Sequence, residues 1–289
     1  MTKTQLPQRR IGPREVSAIG LGAMPMSVRE VNDEDRGVAT IVRALELGVT
    51  LIDTADAYSV DEDDFGANER LIARALREYG AGDGEVLVAT KGGHTRVGGD
   101  WELDGTAAYL RRACLASIER LGVERIDLYQ HHRPDPETAY EESLGGLKAL
   151  LDEGLIAQAG ISNADPAQIR LAHEVLGDGL GAVQNQFSPA FRSSEPEIAL
   201  CQELGIAFLA WSPLGGMSDA GDLGARWQRY ADVAAKHDVS PQQICLAWEL
   251  SLSPAVIPIP GASRPESITD SVGAITLELD DEDLAALSG

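Results

Sequence analysis

The strongest constraint on the fold is a regular alternation of short apolar runs with segments of helical periodicity. Eight runs of three to six residues have the composition of β-strands, and amphipathic segments lie between them. Repeated strand–helix units produce parallel strands with helical crossovers, and eight such units predict a (β/α)8 barrel, the TIM barrel, of about 250 residues. The predicted strands are residues 17–22, 50–52, 86–90, 126–129, 156–161, 182–184, 207–210 and 255–259.

The helical segments complete this alternation. They are residues 38–47, 68–79, 106–121, 140–151, 166–176 and 195–204, two helices within 225–252 that separate at "SPQQ", and a last helix from near Asp281. Ahead of the first strand, "RRIGPREVS" predicts a short N-terminal β-hairpin. No linker, low-complexity segment or repeat interrupts the pattern, so we expect one barrel domain over residues 1–289.

An open, doubly wound sheet is the competing architecture. That fold normally carries a glycine fingerprint directly after its first strand. The candidate in this chain, "IGLGAM", lacks the third glycine and is not followed directly by a helix. The barrel is therefore the preferred prediction.

The charge of the chain limits its partners. The formal net charge is −22, which argues against binding nucleic acid or an anionic membrane surface, since both need cationic contacts. No window of 18 apolar residues predicts a membrane span, and the start, "MTKTQLPQRR", lacks the apolar region of a signal peptide. We expect a soluble protein with a small-molecule partner, and the sequence leaves its oligomeric state open.

The cysteines agree with a cytoplasmic location. Cys114, Cys201 and Cys245 are odd in number and widely spaced, and they form no metal or redox motif. We expect them to be buried thiols in a reducing compartment.

Polar residues stand at the ends of seven of the eight predicted strands. In a barrel, these carboxyl ends converge on one mouth, where active sites form. Each residue alone has an ordinary structural explanation, such as a helix cap or a surface charge, but the set together predicts a site. Its members are Asp53, Lys91, His131 and His132, Ser162 and Asn163, Gln184 and Asn185, and the segments 210–216 and 257–264.

The first of these strand ends predict acid–base chemistry. Lys91 and Asp53 are expected to pair, because an isolated charge there is costly. Tyr58 follows Asp53 by five residues, and a nearby cation is expected to lower its pKa from about 10 by one to three units. Such a tyrosine suits a general acid, and a neutral histidine beside it suits orienting a carbonyl oxygen. Strand parity does not choose between His131 and His132, since adjacent residues face opposite ways.

An ordered set of motifs resembles the aldo-keto reductase superfamily. The resemblance runs from about residue 20 to residue 273 and implies a (β/α)8 barrel that reduces aldehydes or ketones with NAD(P)H and without a metal. The motifs are "DTADAY", "GANERLIARAL", "ATKGG", "DLYQHHRPDP", "GISN", "QNQFSP", "AWSPLGG" and "IPIPG".

The resemblance also implies a catalytic tetrad. It maps onto Asp53, Tyr58, Lys91 and His132. Tyr58 would be the general acid, tuned by Lys91, which Asp53 holds, and His132 would orient the substrate carbonyl. The adjacent His131 would then contribute to the pocket wall or pack behind the strand end.

The same resemblance implies a cofactor site, with NADPH favoured over NADH. The expected residues are Gly22, Ser162, Asn163, Gln184, Trp211, Ser212, Leu214, Gly215, Gly261, Ser263, Arg264 and Asp270. Many relatives carry an arginine or glutamine near Ser267, and "EN" where this chain has Asp270 and Ser271. The 2′-phosphate preference therefore depends mainly on Arg264, whose guanidinium suits phosphate.

Substrate residues are expected on the loops around the mouth. They are Met24, Met26, His94, Trp101, His131 and Phe191, with Pro25, Phe187 and Trp211 as further wall candidates. The segment 59–65, "SVDEDDF", is longer and more acidic than the usual family link. It is either a solvated loop or one that gates the site or repels anionic substrates.

The sequence also permits other functions. Lys91 could serve as the nucleophile of a Schiff-base aldolase on the same barrel. The chain could instead be a cofactor-binding sensor with slow turnover, as in potassium-channel β subunits, which resemble this family. A metal hydrolase built on His131, His132 and Asp53 is less favoured, because the first strand lacks a paired histidine motif.

Overall fold

In the computed structural model of the protein, which describes residues 6–29, 32–82 and 84–288, eight parallel strands form one sheet. In chain order the strands are β1 (Gln8–Ile11), β2 (Arg14–Ser17), β3 (Leu21–Gly22), β4 (Leu51–Asp53), β5 (Leu87–Gly92), β6 (His94–Val97), β7 (Asp100–Leu103), β8 (Ile126–His131), β9 (Ile156–Ser162), β10 (Leu180–Gln186), β11 (Ala207–Trp211) and β12 (Val256–Pro258). The barrel sheet has the order β3-β4-β5-β8-β9-β10-β11-β12, so each barrel strand pairs with the next one along the chain. The predicted fold class is confirmed.

The helices lie between successive barrel strands. They are α1 (Glu34–Glu46), α2 (Ala67–Tyr79), α3 (Ala107–Leu121), α4 (Tyr140–Asp152), α5 (Pro166–Leu176), α6 (Glu195–Leu204), α7 (Leu223–Arg226), α8 (Gln228–His237), α9 (Pro241–Leu252), α10 (Pro265–Gly273) and α11 (Asp281–Ser288). None of the helices within the described ranges is long and apolar enough to cross a membrane.

Local signals in the sequence set many of the helix ends. Thr106 caps α3, because its hydroxyl accepts a hydrogen bond from the backbone N–H of Tyr109. Asp165 and Gln168 form a reciprocal capping box at the start of α5. Gly122 ends α3 with a left-handed φ of 69°, which glycine adopts without steric cost.

Closure of the barrel depends on a close approach between its first and last strands. The backbone N–H of Gly20 donates to Pro258 O at 2.9 Å, and that of Gly22 donates to Pro260 O at 3.0 Å. A Cβ atom at Gly22 would lie 2.8 Å from the backbone oxygen of Ile259, so a side chain has no room there. Because β3 covers only Leu21–Gly22, the predicted first strand was too long, and Ser17 belongs to the hairpin instead.

The N-terminal hairpin closes the bottom of the barrel. Its strands β1 and β2 pair antiparallel, as predicted. Ile11 and Val16 from this hairpin join the same buried cluster as Leu51, Leu128 and Leu209, which fill the barrel interior. With this end closed, the carboxyl ends of the strands form the open mouth.

Helix α10 and the strands β6 and β7 are among the elements that were not predicted from the sequence. Helix α10 follows the last barrel strand within the segment that was expected to hold phosphate, and Pro265 at its first turn was an available start signal. The antiparallel pair β6–β7 lies between β5 and α3 and turns at Gly98 and Gly99. A pair of glycines between two short strand-like runs is typical of such a hairpin.

The three cysteines are buried free thiols on helices, as expected. They lie on α3, α6 and α9. Burial raises the pKa of Cys114 and of Cys201 to about 12, so both thiols stay protonated at neutral pH.

The close approach at Gly22 generates a stability prediction. Gly22→Ala should lower the free energy of unfolding by about 1–3 kcal/mol, because the new methyl group would press on the backbone that closes the barrel. Gly145→Ala is the matched control: it lies on α4 with no atom within 4 Å of the added Cβ, and it should raise stability by about 0.4–1 kcal/mol. Thermal melts of both variants would measure this, and an unchanged Gly22→Ala melt would contradict the account of closure.

Candidate active site

A cavity of about 420 Å³ opens at the carboxyl ends of the barrel strands. Its volume lies within the range of small-molecule sites. Residues from the ends of several different strands line it, together with residues of the hairpin β6–β7 and of the loop after β11. The strand ends that the sequence singled out therefore meet around one space.

A buried ion pair lies at the floor of this cavity, and its carboxylate partner, Asp53, belongs to the lining. The Lys91 ammonium lies 2.7 Å from Asp53 Oδ2, with side-chain exposures of 0% and 4%. It also donates to the backbone oxygen of Thr54 at 2.8 Å. Burial by itself lowers the pKa of Lys91, but the charges of Asp53 and Tyr58 raise it, and the net pKa lies above the ordinary 10.5. Lys91 is therefore a fixed cation.

Tyr58 completes the coordination of Lys91. Its hydroxyl lies 3.0 Å from Lys91 Nζ. The backbone of Tyr58 is held by the Ser27 hydroxyl, which donates to Tyr58 O at 2.8 Å. The ring lines the cavity and meets the ring of His132 edge to face, with 5.7 Å between the centroids. The ends of three strands, β4, β5 and β8, and the loop after β4 thus bring the four predicted tetrad residues together.

The predicted net lowering of the Tyr58 pKa is wrong in direction. Burial raises the pKa of Tyr58 above its ordinary 10.0, and this effect outweighs the neighbouring charge of Lys91, which lowers it. The charge of Lys91 lowers the pKa of Tyr58, as the sequence predicted, but the effect of burial is larger. Tyr58 is consequently protonated at neutral pH, the state that a general acid requires.

The barrel resolves the choice between the two adjacent histidines. His132 lines the cavity, whereas His131 is fully buried toward the helices, 5.8 Å from the Tyr140 ring between centroids. Burial lowers the pKa of His132 well below 6.5, and the charge of Lys91 lowers it further, so the imidazole is neutral. Because the two rings face opposite sides of β8, His131 and His132 cannot share a metal with Asp53.

A network of polar side chains continues the floor toward the next strands. Gln184 Nε2 donates to Asp53 Oδ1 at 2.7 Å, and Asn163 Nδ2 donates to the backbone oxygen of His132 at 3.0 Å. The Ser162 hydroxyl donates to Gln184 O at 2.8 Å. The amide NH₂ groups are thus used inside the protein, and the side-chain oxygens of Asn163 and Gln184 remain as potential acceptors.

The loop after β11 curves along one wall of the cavity. Trp211, Ser212 and Leu214 line the cavity, and the Trp211 indole N–H has no partner among the described residues. Ser212 has a left-handed φ of 51°, and Gly215 has one of 88°. Left-handed conformations at non-glycine residues are strained and concentrate at functional sites. The Gly215 N–H donates to Ser212 O at 2.9 Å, which closes a turn in this loop.

The residues at the last strand form the far edge. Gly22 and Gly261 form a parallel bridge between the first and last strands, and both line the cavity. Arg264 is exposed at the start of α10, where its Nε donates to the Ser267 hydroxyl at 2.9 Å. Ser263 is half-buried on the loop just before it.

Asp270 is engaged within the protein. Its carboxylate accepts hydrogen bonds from Ser240 Oγ and Gln243 Nε2, both at 2.7 Å. These bonds connect α10 to the start of α9. A carboxylate has about four acceptor positions, so further bonds remain available.

The predicted substrate residues divide into two groups. Met24, His94 and Trp101 line the cavity. Met26 is instead buried in the core next to α1 and α2, and Phe191 lies exposed on the loop after β10, where its backbone pairs with Ser188. His131, buried behind β8, likewise packs away from the cavity.

Several cavity residues were not found from the sequence. Arg133, Met217 and Ala220 line the cavity together with Pro25, which was only a secondary candidate. Arg133 directly follows the proposed carbonyl-orienting histidine, a position that could have indicated it. Met217 lies in the loop after β11, and Ala220 begins a single 3₁₀ turn that follows it, so neither position shows helix or strand periodicity. The described residues contain no cluster of three potential metal ligands.

Comparisons with known proteins identify the family of the chain and agree with its fold. The family model described as Aldo/keto reductase family matches residues 18–289. A Glycine max protein named Probable aldo-keto reductase 1 is 33% identical, over 98% of this chain and 88% of that protein. The structure of a glycerol dehydrogenase from Gluconobacter oxydans has a TM-score of 0.82 at 28% identity, over 97% of this chain and 94% of that one. An aldo/keto reductase from Klebsiella pneumoniae, solved with NADP and acetate, has a TM-score of 0.82 at 25% identity, over 99% and 95%.

The chain belongs to the aldo/keto reductase family of oxidoreductases. The resemblance predicted from the ordered motifs is confirmed. The likeness to the solved structures extends over nearly the whole chain and agrees with the (β/α)8 barrel.

The buried pair at the cavity floor generates a second stability prediction. Asp53→Ala should lower the free energy of unfolding by about 3–5 kcal/mol, because it leaves the Lys91 charge buried without its carboxylate. Glu153→Ala is the control: it breaks the exposed pair with Arg111, which also spans 2.7 Å, and should cost at most about 1 kcal/mol. Equal losses in chemical denaturation of the two variants would contradict the importance of burial.

Proposed function

We propose that the protein reduces aldehydes or ketones to alcohols by hydride transfer from NADPH, with Tyr58 as the general acid. The observation that carries this proposal is the contact of the Tyr58 hydroxyl with the buried Lys91 ammonium, at 3.0 Å, at the edge of the cavity. The nicotinamide cofactor, when bound, supplies the hydride to the carbonyl carbon.

The residues of the chain then provide the proton and the orientation. Tyr58 donates its proton to the carbonyl oxygen as negative charge develops there. Lys91 stabilises the resulting phenolate, since its ammonium is held at hydrogen-bond distance by the geometry of the floor. His132 is neutral and adjacent to Tyr58, so its imidazole orients the same oxygen.

The polar network beside the tetrad suits a nicotinamide carboxamide. The side-chain oxygens of Asn163 and Gln184 can accept from its NH₂ group, because their own NH₂ groups already donate inside the protein. Trp211 supplies an aromatic face beside them. Residues of the loop 212–216 line the cavity next to Trp211, which suits a role in holding the pyrophosphate.

Three residues at the last strand suit the adenosine end of the cofactor. Arg264, Gly261 and Ser263 offer a guanidinium and backbone N–H groups to a 2′-phosphate, and this supports NADPH over NADH. The NADP in the Klebsiella pneumoniae relative supports the same choice. Asp270 can accept from the adenine amine with its remaining acceptor positions.

The aldolase alternative fits the geometry less well. A Schiff base needs a neutral amine that substrate can reach. The Lys91 ammonium is fully buried, bonded to Asp53, Thr54 and Tyr58, and its pKa is raised. A sensor barrel with slow turnover shares every residue of the tetrad, and only the rate distinguishes it from a reductase.

The mechanism predicts a selective loss of turnover. Tyr58→Phe should retain cofactor binding and lose most of kcat, because the proton donor is removed while the ring remains. Tyr140→Phe is the matched control, since it deletes a buried hydroxyl that has no hydrogen-bond partner among the described residues. NADPH fluorescence titration and carbonyl-dependent NADPH oxidation would measure both properties. Near-normal turnover by Tyr58→Phe would remove Tyr58 as the acid.

The cofactor assignment predicts a change in preference. The unmodified protein should show a higher kcat/KM with NADPH than with NADH. Arg264→Ala should weaken the binding of NADPH by about tenfold or more and leave the binding of NADH nearly unchanged, because only NADPH carries the 2′-phosphate. Arg170→Ala is the control, as this exposed arginine pairs with Glu203 away from the cavity. A preference for NADH in the unmodified protein would contradict the role of Arg264.

A further inference from the structure

The segment of residues 59–65, named the acidic loop, is bonded to the hairpin β6–β7. The two oxygens of Glu62 accept separate hydrogen bonds at the tip of that hairpin: Oε1 from the N–H of Gly98 and Oε2 from that of Gly99, both at 3.1 Å. Hydrogen bonds from its own backbone N–H and from those of Gly99 and Gly98 lower the pKa of Glu62. The carboxylate is thus charged at neutral pH and bridges two elements.

Arg96 forms a second connection between the same elements. Its guanidinium donates to the backbone oxygen of Val60 in the acidic loop. The guanidinium carbon also lies 4.2 Å from the centre of the Trp101 ring, in a cation–π arrangement. The acidic loop therefore contacts the tip of the hairpin through Glu62. It also contacts Arg96, whose guanidinium covers the Trp101 ring.

The acidic loop is itself fixed to the barrel. Arg70 on α2 donates to Asp64 Oδ1 at 3.0 Å and to Phe65 O at 2.9 Å. The Ser59 hydroxyl donates to Asp61 O at 2.8 Å. A loop anchored in this way can restrain the hairpin. A loop that is only solvated, the first of the two alternatives from the sequence, could not.

The inner side of the hairpin faces the catalytic groups. His94 and Trp101 both line the cavity, and their rings meet edge to face with 5.2 Å between centroids. The His94 ring lies 4.4 Å from that of His132, again edge to face. The hairpin consequently forms a wall beside His132, where a carbonyl group would be held.

We infer that Glu62 is a positioning residue for substrate selection: it holds the hairpin tip so that Trp101 and His94 stay packed beside His132. The substrates selected are carbonyl compounds whose aromatic or bulky apolar part packs on Trp101. The effect on substrates rests on the proposed reductase function, but the restraint of the hairpin does not.

The restraint is tested without cofactor or substrate. Glu62→Ala should speed amide hydrogen exchange at Gly98 and Gly99 by about threefold or more, because both N–H groups lose a charged acceptor. Glu62→Gln keeps one acceptor oxygen and should protect one of the two amides. The matched control is Asp63→Ala, which removes the same charge from the neighbouring residue, whose side chain makes no hydrogen bond to the hairpin among the described residues.

A second readout follows Trp101. Glu62→Ala should increase quenching of tryptophan fluorescence by acrylamide, and this increase should vanish in a Trp101→Phe background. Asp63→Ala should leave both amide exchange and quenching unchanged. Equal effects of the two alanine variants, or no effect of Glu62→Ala on Gly98 and Gly99, would overturn the restraint.

Selection is tested by the substrate profile. Glu62→Ala should raise KM severalfold for an aromatic aldehyde such as benzaldehyde, leave kcat nearly unchanged, and leave the KM for propanal unchanged. A uniform fall in kcat for both aldehydes would overturn the positioning role. Failure of the unmodified protein to oxidise NADPH with any carbonyl compound would reject the proposed function, whereas the exchange and quenching results would still decide the restraint.

Discussion

The ion pair between Lys91 and Asp53 is the interaction on which the rest of the site depends. Two charges removed from water at a distance of 2.7 Å hold each other in one geometry, since separating them would leave each without compensation. That geometry fixes the Tyr58 hydroxyl against Lys91, and Gln184 extends it by donating to the second carboxylate oxygen. A phenol, a cation and a neighbouring strand are therefore positioned by one buried contact.

Burial also sets the protonation states around this pair. Burial raises the pKa of Tyr58 and lowers that of His132. The nearby charge of Lys91 lowers both values, so it opposes burial at Tyr58 and adds to it at His132. The result is a protonated phenol beside a neutral imidazole. For Tyr58, Lys91 limits the rise in pKa that burial causes and does not produce a net fall. Its electrostatic stabilisation would be larger once a phenolate formed.

The walls of the cavity follow a different principle from its floor. The floor is made by strand ends whose positions the closed sheet dictates, while the walls are loops held by contacts such as those of Glu62 with the hairpin tip. Such contacts are exposed and individually weak, so they can differ between relatives without disturbing the barrel. The walls can therefore change in sequence while the buried contacts of the floor stay the same.

The sequence by itself determined the barrel and the N-terminal hairpin, because periodicity and ordered motifs are local properties of the chain. It also predicted which strand-end residues meet at one cavity, because the carboxyl ends of barrel strands converge. It did not distinguish the two faces of β8. Both sides of a barrel strand are buried, so an alternation of apolar and polar residues does not show which side faces the interior. Only the closed structure turned His132 inward and His131 toward Tyr140, placed Met26 in the core, and joined the acidic loop to the hairpin. The net direction of the Tyr58 pKa was likewise decided by tertiary burial, because the sequence shows which charge is near but not how much water has been excluded.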